Sequence, residues 1–384
     1  MLNGSQSRRQ FLQALTVPAL TARGIRSRLI RDVNGITLHV LEAGYETKGR
    51  PAVLLLHGFP ELAYSWRKVL PALAKAGFHA IAPDLRGYGR SSGTEVTFDD
   101  DLRPFRTANE VRDVVLLVSA LGYRKAAVVG HDFGSPLAAW CALMHPEIFT
   151  SVALMSAPFG GPPSAPPSAA SESIYQDLAR LRPPRKHYQK YFATREANSN
   201  MHQAHQGLHA FLRAYYHMKS ADWKQNKPFP LAAWTATELA RLPHYYVMPL
   251  EKGMAETVAP EMPPATEIAG CKWLPEEELR IYSQEYGRTG FQGGLNRYRV
   301  RWIPGLNTEL LDFSRRTIDI PSLFVAGASD WGIHQRPGAL DAMRNKACTK
   351  FQGVHLIAGA GHWVQQEQPE AVSNRLISFL RANA

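Results

Sequence analysis

The stretch Lys125–Met144 most narrows the folds open to this chain. Four apolar residues, Ala126 to Val129, run straight into Gly130-His131-Asp132-Phe133-Gly134, and Ser135–Met144 then shows helical spacing. An apolar run with no polar alternation reads as a strand buried on both faces. A sharp return into helix leaves little room for anything but a layered α/β arrangement. The same rhythm recurs. Strands are expected at Ile36–Leu41, Ala52–Leu56, Phe78–Ala82 and Ser151–Met155, and helices at Tyr64–Lys75 and Thr107–Leu121. The rhythm resumes at Ser322–Ala326, Gly338–Asn345, Thr349–Leu356 and Pro369–Ala382. A mostly parallel sheet with helices on both faces follows.

Between these two blocks the rhythm stops. Phe159–Ser173 reads as a Pro/Gly/Ser linker, and a Tyr-, His- and Arg-rich region with mainly helical patches follows to about Ser314. One interrupted domain fits this better than two consecutive ones. Residues 26–158 plus 315–384 are read as the core and 159–314 as an inserted, mainly helical cap. Residues 1–25 are read as an extension. There Ser7-Arg8-Arg9-Gln10-Phe11-Leu12 resembles a twin-arginine export signal, although Gln13, Thr16 and Pro18 break the apolar run behind it. An organelle transit peptide or a plain basic extension fits the same residues. Cytoplasm and export both stay open.

Composition excludes several classes. The chain has 384 residues and a formal charge of +11. Six arginines (Arg8, Arg9, Arg23, Arg26, Arg28, Arg31) precede the first acid, Asp32, and supply over half of that surplus. No basic–aromatic reading module accompanies them, so a nucleic-acid partner is not expected. No apolar run is long enough for a membrane span. Cys141, Cys271 and Cys348 are few and far apart, and build neither a disulfide framework nor a zinc ribbon. His202, His205 and His209 would share one face of a helix but lack a further ligand, so no metal is expected. Asp99-Asp100-Asp101 reads as a solvated loop.

The chemistry concentrates at strand ends. Gly130-His131-Asp132-Phe133-Gly134 is the small-x-nucleophile-x-small elbow of an α/β-hydrolase, with Asp132 where serine is usual. A carboxylate is already ionised and attacks carbon without a base. Taken alone, Asp132 is equally well a helix N-cap. Gly89-Arg90-Ser91-Ser92-Gly93 has the letters of the same motif, but no apolar strand leads into it and no apolar helix follows, so it reads as a turn. His57-Gly58-Phe59-Pro60 ends an earlier strand, and the amides of Phe59 and Phe133 are placed for an oxyanion hole. Asp330 follows the strand Ser322–Ala326, and His362 sits between small residues after another. Nucleophile, acid and histidine in that order are the order of this fold.

With these segments on the page, the chain resembles the epoxide hydrolases from about Arg26 to its C-terminus. The likeness covers HGFP, DLRGYGRSS, GHDFG, SD and GHW, together with cap segments at 187–192 and 290–299. It implies that Asp132 opens the epoxide to form an ester and that Tyr188 and Tyr298 act as acids toward its oxygen. His362 with Asp330 then activates water to release a vicinal diol. Tyr191 is the nearest rival to Tyr188. His57, Phe59, Pro60, Phe133 and Trp363 are expected around the substrate, with Phe59–Pro60 a cis peptide or tight turn. A small apolar epoxide is the expected partner. No cofactor is expected, and the protein is read as a monomer or homodimer. A dehalogenase is the nearest alternative, but Phe59 and Phe133 offer halide no side-chain N–H, and no arginine follows Asp132 to hold a haloacetate. A catalytically silent receptor of the same fold would be expected to lack a catalytic member, and none is missing.

Overall fold

A computed structural model of the chain describes residues 24–165 and 169–383. The N-terminal segment read as an extension or export signal lies, up to residue 23, outside the described residues. Ten strands form in chain order: β1 (Arg26–Val33), β2 (Ile36–Ala43), β3 (Ala52–Leu56), β4 (His79–Pro83), β5 (Ala126–His131), β6 (Phe149–Met155), β7 (Arg185–His187), β8 (Val247–Pro249), β9 (Ser322–Gly327) and β10 (Phe351–Ile357). Eight of them make one sheet in the order β1-β2-β4-β3-β5-β6-β9-β10. β2 is antiparallel to both its neighbours, and every pair from β4 to β10 is parallel. The central strands β3, β4, β5 and β9 are buried at every residue. That is why they read as apolar runs rather than alternations.

Parallel strands end on one edge, and in such sheets that edge collects the functional loops. Helices α1 (Leu70–Lys75), α2 (Thr107–Ala120), α3 (Gly134–Met144) and α8 (Pro369–Ala382) cover the sheet. Over its C-terminal edge lie α4 (Tyr188–Phe192), α5 (Leu208–Lys219), α6 (Glu276–Thr289) and α7 (Gln292–Val300), with β7 and β8 paired apart from the main sheet. α5 packs on α6 and α4 on α7. Buried polar contacts tie this layer to the sheet: the Tyr216 hydroxyl donates to the Pro60 carbonyl at 2.9 Å, and Arg297 meets Glu110 at 2.9 Å. Arg67 pairs with Glu278. No helix among the described residues is long and apolar enough to cross a membrane.

Several expectations need correction. Tyr64–Lys75 is not one helix but a 3-10 turn at Ala63–Trp66 followed by α1. Pro71 explains the break, since its ring would clash with the carbonyl four residues earlier in a continuous helix. A helix, Ala169–Arg180, begins inside the stretch read as a linker. β1 gave no apolar signal because it is an edge strand with most of its side chains exposed. His202, His205 and His209 do not share a helix. One helix ends at His202, α5 starts at Leu208, and Gly207 between them takes φ +83°.

Candidate active site

β5 delivers Asp132 into a turn so tight that its φ is +52°. Residues with a Cβ seldom adopt this left-handed conformation, and aspartate is among those that tolerate it best. The small flanking residues make the turn possible. A Cβ on Gly130 would strike the Gly134 carbonyl, and one on Gly134 would strike the Leu56 carbonyl. Across the edge, the loop after β3 carries a cis Phe59–Pro60 peptide. The Phe59 amide donates to Asp132 Oδ1 at 3.0 Å. Phe133 begins the helical turn behind Asp132, its ring centroid 4.3 Å from that of Tyr298.

The loops after β9 and β10 bring the other two members. His362 Nδ1 lies 3.1 Å from Asp330 Oδ1, which also accepts the Gly332 amide at 2.7 Å. His362 Nε2 faces Asp132 Oδ2 at 3.3 Å without an aligned hydrogen bond. Burial opposes charge on Asp132, yet the His362 ring and the Lys219 ammonium hold its carboxyl well below the usual carboxylate range. Burial and Lys219 push His362 down, but Asp330 and Asp132 outweigh them, so its pKa ends above the ordinary histidine value. The free site thus favours a carboxylate facing an imidazolium.

Beneath the histidine lies a network that the sequence reading did not single out. His131 Nδ1 is 2.6 Å from Glu61 Oε2, and its Nε2 is 2.7 Å from the His362 carbonyl. Both ring nitrogens face oxygen atoms, so the ring bridges Glu61 to the backbone of the His362 loop. Glu61 Oε1 also accepts from the side-chain amides of Gln365 and Gln366, each at 2.9 Å. Four buried side chains therefore pin the loop that carries His362. Their only sequence signal was adjacency: His131 precedes the nucleophile, Glu61 follows His57-Gly58-Phe59-Pro60, and the glutamines follow Trp363.

The overlying helices contribute phenols. The Tyr188 and Tyr298 rings lie 6.1 Å apart, and both hydroxyls are raised by burial and by the Asp132 charge. In this structure Tyr188 donates to Gln335 Oε1 at 2.9 Å and accepts from Gln189 at 3.1 Å. Among the described residues, Tyr298 has no hydrogen-bond partner for its hydroxyl. Tyr191 points elsewhere, donating to Asn200 Oδ1 at 2.7 Å and sensing Glu256 and Glu196 rather than Asp132.

His57 is fully buried, accepting the Leu85 amide at Nε2 and facing the Gly58 carbonyl through Nδ1. The Phe59 ring packs on Phe192, Phe291 and Tyr298, and the Pro60 carbonyl holds Tyr216. Trp363 is wholly buried beside His362, its indole donating to the Tyr216 carbonyl at 2.8 Å. Ser91, in the decoy motif, donates to the Asp84 carbonyl at 2.5 Å, far from Asp132 in role and partner. The three cap histidines go to separate partners: His202 faces the Gly287 carbonyl, His209 lies between Ser283 and Glu276, and His205 is 3.9 Å from Glu256. Asp99 and Asp101 pair with Arg195 and Arg103 on the surface.

Known proteins share this arrangement of chain. Residues 51–369 match the family model for the alpha/beta hydrolase fold. Epoxide hydrolase A of Mycobacterium tuberculosis is 34% identical over 368 residues, covering 93% of this chain and 98% of the relative. The solved epoxide hydrolase from an endophytic Streptomyces superposes with a TM-score of 0.74 at 32% identity, covering 94% of this chain and 96% of that one. Epoxide hydrolase I of potato (Solanum tuberosum) gives 0.71 at 28% identity, covering 93% and 99%. Asp132 on its elbow, Asp330 and His362 on three loops of one sheet edge, under a helical layer bearing two phenols, now stand beside relatives matched over nearly their whole length. The chain belongs to the epoxide hydrolase family of the α/β-hydrolase fold.

Proposed function

We propose that this protein hydrolyses an epoxide to a vicinal diol through an ester on Asp132. The observation that carries the reading is the pairing at the nucleophile: Oδ1 takes the Phe59 amide at 3.0 Å while Oδ2 faces His362 Nε2 at 3.3 Å. Asp132 attacks one ring carbon, and the carbon–oxygen bond there breaks. The departing oxygen takes hydrogen bonds from Tyr188 and Tyr298. A phenol suits this task because an alkoxide is far more basic than a phenolate. The proton that completes the new hydroxyl is the one the His362 imidazolium gives up, passed on through phenol or water.

Neutral His362, oriented by Asp330, then removes a proton from water as the oxygen adds to the ester carbonyl. The amides of Phe59 and Phe133 stabilise the oxyanion. Collapse expels the diol's second oxygen with its proton and restores the Asp132 carboxylate and the His362 imidazolium. Charges and protons balance over the cycle, so no cofactor enters. The layer of α4 to α7 acts as a cap over the site and carries the two phenols.

His362→Gln separates the steps, since it removes the base and leaves the nucleophile. Incubated with styrene oxide, the variant should accumulate one adduct with the full mass of the epoxide on the peptide carrying Asp132. An unmodified Asp132 in a folded variant, across a panel of aliphatic and aryl epoxides, would sink the reading. Halide release from haloalkanes with no action on epoxides would point to a dehalogenase instead.

A further inference from the structure

A buried lysine stands beside the triad with no carboxylate of its own. Lys219, the last residue of α5, is 3% exposed. Its ammonium lies 5.3, 5.9, 5.4 and 5.0 Å from the ring centroids of Tyr215, Tyr245, Tyr246 and Trp363. Among the described residues it has neither an ion-pair partner nor a hydrogen-bond acceptor. An ammonium held by ring faces alone keeps its field largely uncancelled, because no counter-charge is in contact and no bulk water surrounds it. Its backbone is fixed against the same loop: the His362 amide donates to the Lys219 carbonyl at 2.8 Å. Gly361 makes that approach possible, since a Cβ there would press on the backbone of Lys219, Ser220 and Ala221.

We propose that Lys219 is a positioning residue that acts through His362, its caged charge driving the histidine to the neutral form once Asp132 has been alkylated. The inference rests on the epoxide-opening reading given above. The charged and titratable groups around His362 can be enumerated. Asp132 at the end of β5 and Asp330 after β9 face its ring nitrogens. His131 on β5, backed by Glu61, faces its carbonyl. Glu367 accepts the amides of Gly361 and Trp363, and burial pushes it up to about 8, which leaves it largely uncharged at neutral pH. Tyr215, Tyr245 and Tyr246 are phenols raised well above their ordinary value by burial and stay neutral. Tyr188 and Tyr298 stay neutral for the same reason.

Glu61 lies behind the His131 ring, its carboxylate oxygens taken up by His131, Gln365 and Gln366. That leaves two anions, Asp132 and Asp330, and one cation, Lys219, acting on the ring. In the free enzyme the two anions win and His362 holds its proton. Ring opening turns the Asp132 carboxylate into a neutral ester. Asp330 and Lys219 then oppose each other about one to one, and His362 loses the excess that kept it protonated. Its proton goes to the oxygen released from the ring, and the histidine becomes a base at the moment water is needed. Without Lys219, Asp330 would keep the ring protonated on the alkylated enzyme.

The test follows the lifetime of the ester. Single-turnover reactions of the full chain with styrene oxide are quenched and read by mass spectrometry from pH 5.5 to 9, for the parent, Lys219→Met and Lys219→Arg. Lys219→Met should form the adduct at a rate within about twofold of the parent. Its breakdown should slow about tenfold at pH 7, with the acid limb of the breakdown rate moved up by about one pH unit. Lys219→Arg should return the limb to the parent position. Should Lys219→Met not fold, Lys219→Gln serves the same comparison. An unmoved limb, or a limb displaced equally in the Arg and uncharged variants, overturns the proposal, as does slowing of both steps alike. If the parent itself forms no adduct, the epoxide-opening reading falls first.

Discussion

The core edge and the cap hold their functional groups by opposite means. At the core edge, the groups are charged and locked by hydrogen bonds. Asp132, Asp330 and His362 sit on loops leaving parallel strands, and Glu61, His131, Gln365 and Gln366 brace the last of them from below. In the cap, the groups are neutral phenols and one caged ammonium held by aromatic packing. Tyr298 touches Phe59, Phe133, Phe192 and Tyr188 through ring contacts and has no partner for its hydroxyl among the described residues. The difference matches the two tasks. In the proposed reaction a nucleophile and its base keep one geometry through two steps, whereas the acids turn to a departing oxygen: Tyr298 has no competing acceptor among the described residues, and Tyr188 exchanges Gln335 for it.

The largest effect should come from breaking the core brace. Glu61→Leu leaves the buried His131 Nδ1 without its partner and strips an acceptor from both glutamines, so it should destabilise the fold by about 3–5 kcal/mol, roughly 1–3 kcal/mol for each buried group left unsatisfied. Urea denaturation measures this, and a loss below about 1 kcal/mol would mean that the brace is not what holds the His362 loop. On the cap side the effect should appear in rate and not in stability. Tyr298→Phe and Tyr188→Phe should each slow ester formation on the order of 100-fold, the usual cost of one donor to a developing oxyanion. Melting temperatures should stay put, and Tyr191→Phe should retain its rate. Equal rates for Tyr191→Phe and Tyr188→Phe would reassign the second phenol.

The smallest effect sharpens the junction between the two regions. Glu110 on α2 meets Arg297 on α7, and burial, against the pull of Arg297, pushes its carboxyl up to about 7. The unfolded chain releases this proton near its ordinary 4.5 while the folded chain keeps it to about 7. Stability therefore falls as pH rises from about 4.5 to 7 and stays lowered above that, by up to about 3 kcal/mol spread over that range. Glu110→Gln should flatten that part of the pH–stability curve. A slope unchanged by the substitution would place the titration elsewhere.

Legibility followed the same division. β3, β5 and β9 were visible because every side chain is buried and the apolar run is uninterrupted. Asp132 and Asp330 were visible because each follows such a run within a few residues, and His362 because it sits between small residues after the mixed, half-exposed strand β10. β1 was invisible, since its exposed face carries arginines, and the split of Tyr64–Lys75 turned on how one proline was weighed. Tyr188 and Tyr298 were named through likeness to a family, not through periodicity. Fourteen tyrosines offered too many candidates for pattern alone. Lys219 and Gln335 carried no local signal, and Glu61 only its place after His57-Gly58-Phe59-Pro60, because their partners lie far along the chain.

What the sequence determined by itself was the strand–helix order, the sharp elbow at Asp132 and the chain order of the three loop residues. These are local consequences of apolar periodicity and of turns that only small residues permit. What only the tertiary structure decided was which groups share a field. His362 is flanked by two carboxylates and an ammonium drawn from three other segments of the chain. Electrostatic interactions depend on distance and burial in space, and neither quantity can be read from separation along the chain.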